Sequence, residues 1–262
     1  MKKRALLVGI NSYLHYPEKS LNGCVNDTKI MASVLTERFG FGEADITFLW
    51  DEKATRNAIV KELFELLENC ETGDIIVFHF SGHGSRRLSS IPHMSDGLEE
   101  TIMPHDTGSM PHLNRDIRDS DLRNWLALLT KKTPNINLFF DSCHSGSIVR
   151  ESGKIRCINT DSREILFSSG NNLREILFSS GNNLSGQPET DKIFPSSSEN
   201  WLALSDSYSL LTACKKNELA YEYQVKESNR TTYYGAFTYF LVRELIKTPS
   251  NFTYQDVFEQ LH

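Results

Sequence analysis

Residues 137–146 read NLFFDSCHSG. After Asn137 the run is apolar, and Phe139 and Phe140 favour a pleated surface. Such a run reads as a buried strand of a parallel sheet. Asp141, Ser142 and Cys143 then fall at its carboxyl end, the edge at which open α/β sheets bind ligands. Residues 74–80 (DIIVFHF) have the same design and run into Ser81-Gly82-His83-Gly84. The two glycines let the backbone turn sharply and leave His83 at the same edge. One strand therefore delivers a thiol and another an imidazole.

Working outward, residues 4–10 (RALLVGI) and 45–50 (DITFLW) read as two more strands. Asn22 is placed to cap a helix through about Arg38, stopped by Gly40. Residues 55–70 form an amphipathic helix with Ile59, Leu63, Leu66, Leu67 and Cys70 on one side. A β-α-β-α-β order of this kind implies a parallel sheet with right-handed crossovers. Residues 84–118 read as irregular. A helix capped at Asp119 or Ser120 runs through Lys132, burying Leu122, Trp125, Leu126 and Leu129. Residues 163–173 (REILFSSGNNL) recur without change as 174–184, which points to a tolerant surface loop. A strand at 208–214, a helix over 233–247 and another from Thr253 complete the chain, with a missing final strand allowed for. The organisation expected is a large nucleophile-bearing part at 1–147, a flexible linker at 148–207 and a small part at 208–262, all within one domain.

The composition bounds the partners. A length of 262 residues, 39% hydrophobic and 24% charged, suits one soluble α/β domain. The net charge of -6 argues against general nucleic-acid binding. Five cysteines without a C-x-x-C pair exclude a zinc ribbon, and their odd number suits a reducing compartment. The apolar run after Lys2-Lys3-Arg4 is too short for a signal peptide, and no stretch is long enough to span a bilayer. The expectation is a cytoplasmic monomer with neither membrane nor nucleic-acid partners.

A thiol becomes a nucleophile when a base takes its proton or a cation stabilises its thiolate. His83 precedes Cys143 by 143 − 83 = 60 residues, close to the His-before-Cys spacing of caspase-type proteases. Together with Asn22-Gly23-Cys24-Val25-Asn26-Asp27, Leu210-Leu211-Thr212-Ala213-Cys214 and Gly235-Ala236-Phe237-Thr238, these motifs resemble the metacaspase and orthocaspase branch of the caspase-like cysteine proteases, the prokaryotic orthocaspase type foremost. That resemblance implies a caspase-like three-layer sandwich, with a mostly parallel central sheet and helices on both faces. It implies Cys143 as nucleophile and His83 as general acid and base. The N–H groups of Gly84 and Cys143 would form the oxyanion hole. The family's pocket for arginine or lysine maps onto Asp27 and Asp141, with Cys24 and Ser81 beside them. Paired carboxylates suit a guanidinium, and they would repel an aspartate. The partners implied are peptides or proteins with Arg or Lys before the scissile bond.

The chemistry needs no cofactor. Calcium, which many family members bind in acidic loops, is left open. The stretches 95–100 (SDGLEE) and 117–121 (IRDSD) are acidic, but Ser120 stands where a second carboxylate is usual. Blander readings stand beside these. Cys143 could be a buried structural thiol, Asp27 a charge favouring its helix dipole, Cys24 plain core, and His79 a buried, satisfied histidine. His144 is a rival base, but adjacent strand-end residues point apart. Two other functions compete with a self-cleaving endopeptidase. One is a pseudoenzyme or binding module that recruits basic peptides; the other is an asparagine-directed transpeptidase. Self-cleavage is expected in the linker, after one or more of Arg150, Lys154, Arg156, Arg163, Arg174 and Lys192.

Overall fold

The computed structural model describes residues 1–88, 98–109, 113–143, 154–158, 207–214, 218–227 and 230–248. The repeat at 163–184, His144, the expected helix from Thr253 and most of the linker lie outside them.

Five strands form the central sheet: β1 (Lys3–Gly9), β2 (Ile46–Trp50), β3 (Ile75–Ser81), β7 (Ile136–Asp141) and β8 (Ser209–Thr212). Their order is β2-β1-β3-β7-β8 and every neighbouring pair is parallel. Alternate residues face opposite sides. Leu6, Val8, Phe78, Phe80, Leu138 and Phe140 face one way, into α2 (Arg56–Glu68) and α3 (Asp119–Leu129). Ala5, Leu7, Val77, Phe139 and Leu211 face the other, into α1 (Cys24–Phe39) and α4 (Ala236–Lys247). The inner strands β1, β3 and β7 are largely apolar on both faces because both are covered, and the three-layer sandwich expected is the one found.

Local differences have local causes. Gly23, not Asn22, caps α1; the Asn22 side chain is drawn to Glu222 instead. Residues 84–118 are not irregular throughout: β4 (Gly84–Leu88), β5 (Leu98–Ile102) and β6 (Ile117–Arg118) form a small antiparallel sheet beside the site. Polar residues that pair across strands hid it, with Arg86 facing Glu100 and Arg87 facing Glu99. The start of the expected helix over 233–247 is instead the end of β10 (Arg230–Gly235), paired antiparallel with β9 (Glu222–Glu227); α4 begins at Ala236. Thr231, Thr232, Tyr233 and Tyr234 are β-favouring residues, which explains the shift. No helix among the described residues is long and apolar enough to cross a membrane.

Candidate active site

Strands β3 and β7 are adjacent, parallel and in register, with Ser81 opposite Asp141. Two residues beyond these partners come His83 and Cys143, so the sheet alone brings the thiol and the imidazole to one edge. The His83 ring is buried, and Tyr13 lies against it with ring centroids 4.9 Å apart. The Tyr13 hydroxyl accepts from the His83 backbone N–H at 2.7 Å. His83 Nε2 lies 2.7 Å from the Lys19 carbonyl. A carbonyl only accepts, so Nε2 carries the proton and Nδ1 is a bare acceptor; Nδ1 has no hydrogen-bond partner among the described residues. Burial pushes His83 down to about 4, against the opposing pull of the Lys19 carbonyl and of Cys143. The ring is therefore neutral near pH 7. Cys214, one strand over, places its Sγ 3.5 Å from the Ser142 carbonyl, and its thiol is pushed up, first by a hydrogen bond with Cys143 and then by burial.

Beside this edge is an acidic pocket. Asp27 is on the first turn of α1 and Asp141 ends β7; both are fully buried. Asp27 accepts from Ser81 Oγ at 2.7 Å and from the Gly235 N–H at 2.8 Å. Asp141 Oδ2 accepts from the Thr238 N–H at 2.8 Å and its hydroxyl at 2.7 Å. Thr238 thus gives its only hydroxyl proton to Asp141, so His79 Nε2, 3.2 Å from that oxygen, must be the donor of the pair. His79 is buried as expected, but its Nδ1 has no hydrogen-bond partner among the described residues. Burial holds His79 down near 3 and raises the Asp27 carboxyl to about 7, the latter against the attraction of a nearby guanidinium. The Cys24 thiol is also pushed up by burial.

That guanidinium belongs to Arg156, from the linker. It is fully buried. Its terminal nitrogens lie 2.9 Å from Asp27 Oδ2 and 3.1 Å from Asp141 Oδ1, and one donates to Ser81 Oγ at 2.7 Å. A third carboxylate, Glu222, lies 3.8 Å away. Glu222 is held in turn by the N–H groups of Asn22 at 2.7 Å and Gly23 at 2.6 Å. The pocket closes around the guanidinium at Gly235, where a Cβ would fall 2.1 Å from Asp141 Oδ2 and 2.5 Å from the guanidinium.

The backbone of residues 154–158 crosses the site with isolated bridges at Ile155 and Cys157 and a bend at Arg156. The Arg156 N–H donates to the Ala220 carbonyl at 3.0 Å, and the Glu222 N–H to that of Lys154 at 3.1 Å. The Arg156 carbonyl oxygen accepts from Gly84 N–H at 3.1 Å and from Cys143 N–H at 3.2 Å. Beyond it, Cys157 bridges to Gly84 and the Ile158 N–H donates to the Gly84 carbonyl at 3.1 Å.

Every site residue read from the sequence is thus brought to one sheet edge: His83, Cys143, Gly84, Cys24, Asp27, Ser81 and Asp141. Sequence reasoning missed Tyr13, Glu222 and Thr238, which no local motif marks. It named Arg156 only among six basic candidates. Of the acidic stretches considered for calcium, residues 95–97 lie outside the described ones. Glu99 accepts from the Ser120 N–H at 2.9 Å and lies 3.6 Å from Arg118, and Asp119 pairs with Arg123 at 2.9 Å. Among the described residues no three candidate ligands converge.

A family model described as metacaspase, peptidase C14 domain, matches residues 3–151, a span that includes both His83 and Cys143. The chain is 38% identical over 163 residues to Metacaspase-7 of Arabidopsis thaliana, covering 58% of this chain and 37% of that protein. It is 32% identical over 152 residues to Metacaspase-1 of Pyricularia oryzae, covering 56% and 37%. The chain thus spans little more than a third of the length of these curated relatives. A solved structure of a Geobacter sulfurreducens protein matches with a TM-score of 0.62, covering 98% of this chain and 86% of that one at 23% identity. At that identity the likeness is one of fold.

Proposed function

The chain belongs to the metacaspase family, and we propose that it is a cysteine endopeptidase that cuts after arginine or lysine and whose first substrate is its own Arg156–Cys157 bond. One observation carries this reading. Arg156 lies in the acidic pocket while its carbonyl oxygen accepts from both Gly84 and Cys143. Those are the contacts a substrate makes with a specificity pocket and an oxyanion hole at once.

The steps follow from the groups in place. His83 Nδ1 takes the Cys143 proton, and Sγ attacks the Arg156 carbonyl carbon. The charge that develops on oxygen is met by the two N–H groups already directed at it. The imidazolium then protonates the departing Cys157 nitrogen, leaving Arg156 as a thioester on Cys143. Water, activated by the same ring, hydrolyses the thioester. The fragments 1–156 and 157–262 stay together, because β7 of the first pairs with β8 of the second.

The test compares wild type with Cys143→Ala, sequencing new amino termini after incubation, alongside peptides that vary only the residue before the scissile bond. A new terminus beginning Cys-Ile-Asn in wild type alone, with hydrolysis only after arginine or lysine, is expected. A cut that persists in the mutant, or cleavage after aspartate, would overturn the reading.

A further inference from the structure

The residue that follows the bond placed for cutting is a cysteine, and it is anchored from its far side. Cys157 bridges to Gly84, the Ile158 N–H donates to the Gly84 carbonyl at 3.1 Å, and the Ile158 carbonyl accepts from Ser85 Oγ at 2.7 Å. Ser85 is fully buried and Ile158 is nearly so. Gly84 thus grips both sides of the Arg156–Cys157 bond, the acyl side through its N–H and the amine side through its carbonyl. The bridge to Gly84 is made in part by the Arg156 carbonyl, but the two Ile158 contacts do not involve the bond itself, so cutting leaves those two intact. The same chain re-enters the sheet at Ser209, which tethers the new terminus to the body of the protein.

We propose that this site also joins peptides, passing an arginyl acyl group from Cys143 to an acceptor that begins with Cys-Ile, its own Cys157 terminus being the first such acceptor. The inference rests on the peptidase reading above. When the Cys143 thioester has formed, the anchoring of Ile158 keeps the Cys157 α-amine near its carbonyl, and the thiol is two bonds from the same Cα. An ordinary α-amino group has a pKa of about 7.7–8.0, so part of it is free base near neutrality. The Cys157 thiolate attacks the thioester carbonyl, breaking the C–S bond to Cys143 and transferring the acyl group to the Cys157 sulfur. The Cys157 amine then attacks the same carbon through a five-membered ring. The amide forms, the Cys157 thiol is released, and the amine's proton passes to solvent. Cys143 has already regained its proton from His83 or solvent. No oxidant, reductant or water is consumed. Holding amine and thiol next to the acyl carbon raises their effective concentration against water, which is the condition for joining to compete with hydrolysis.

The test uses the self-cut enzyme with a biotinylated peptide ending in an arginine coumarylamide. Coumarin release reports acylation, and biotin on the 157–262 fragment in a denaturing gel reports joining. Biotin should appear on that fragment in wild type and resist hydroxylamine as an amide does; Cys143→Ala, which should neither cut itself nor release coumarin, should carry no biotin on the intact chain. In Cys157→Ser, biotin incorporated per coumarin released should fall about tenfold or more, since the thiolate is the stronger nucleophile. Coumarin release with no biotin on the 157–262 fragment overturns the proposal while leaving the peptidase reading intact. Equal labelling of wild type and Cys157→Ser overturns the thiol step. No coumarin release and no self-cutting overturns the peptidase reading, and joining falls with it.

Discussion

The two halves of the site are built on opposite rules. At the pocket, every carboxylate is held: Asp27 by Ser81 and Gly235, Asp141 twice by Thr238, Glu222 by two backbone N–H groups. At the reacting edge, His83 keeps a ring nitrogen with no hydrogen-bond partner among the described residues. Groups that must recognise a fixed charge gain from being immobilised, because none of their orientation has to be bought when ligand arrives. A group that must take a proton and give it back needs one lone pair left open. The difference teaches what each half loses on substitution: the pocket carboxylates keep their positions through several donors but lose charge, whereas the edge loses the proton carrier itself.

The comparison is broken first at the edge. Cys143→Ala should cut turnover on arginine peptides by about 10³-fold or more, because the residue proposed to form the covalent intermediate is gone, with the circular dichroism spectrum unchanged. Wild-type turnover in this variant would move the nucleophile elsewhere. At the pocket the loss should be graded. Asp141→Asn and Asp27→Asn should each cost on the order of 2–5 kcal/mol in kcat/KM for arginine, the range for leaving one partner of a buried charge pair unmatched. Glu222→Gln, at the longer distance, should cost about tenfold or less, since the amide oxygen can still accept from Asn22 and Gly23.

The pH profile separates the halves further. Burial raises the Asp27 carboxyl to about 7 and lowers the His83 imidazole to about 4. As pH falls through 7, Asp27 takes up a proton and its attraction for a guanidinium is lost. The acid limb of kcat/KM for arginine should therefore follow Asp27, and Asp27→Asn should carry the limb toward lower pH. A limb that stays put in that variant would assign it to another group. The smallest effect expected is on stability. Tyr13→Phe removes the acceptor of a buried N–H, at about 1–3 kcal/mol in chemical denaturation.

What the sequence made legible follows from range. Strands β3 and β7 each write their functional residue directly after an apolar run, so His83 and Cys143 could be read from local pattern, and parallel pairing did the rest. Asp27 and Asp141 sit within motifs next to the same elements. Glu222 is 200 residues from Asn22 and opens a strand whose alternating Tyr223 and Val225 mark a strand but not its neighbours; only its hydrogen bonds to the Asn22 and Gly23 N–H groups make it part of the pocket. Tyr13 is in a loop fixed by the Asp51 carboxylate, which accepts from the Asn11 and Ser12 N–H groups at 2.7 and 2.9 Å. No periodicity announces such a contact. Arg156 is one basic residue among several in the sequence; its register comes from the hydrogen bond to the Ala220 carbonyl and the bridge of Ile155 to Tyr221.

The missing side chain at Gly235 sets a length standard. With nothing but hydrogen on that Cα, the pocket is deep enough for the guanidinium it holds, while a single methyl there would stand 2.5 Å from the guanidinium and 2.1 Å from Asp141. Gly235→Ala should therefore displace Asp141 as well as crowd the guanidinium, lowering kcat/KM for every cation and for arginine most. A series of peptides stepped one methylene at a time would read the depth of the pocket directly, as a locksmith reads a key by its cuts.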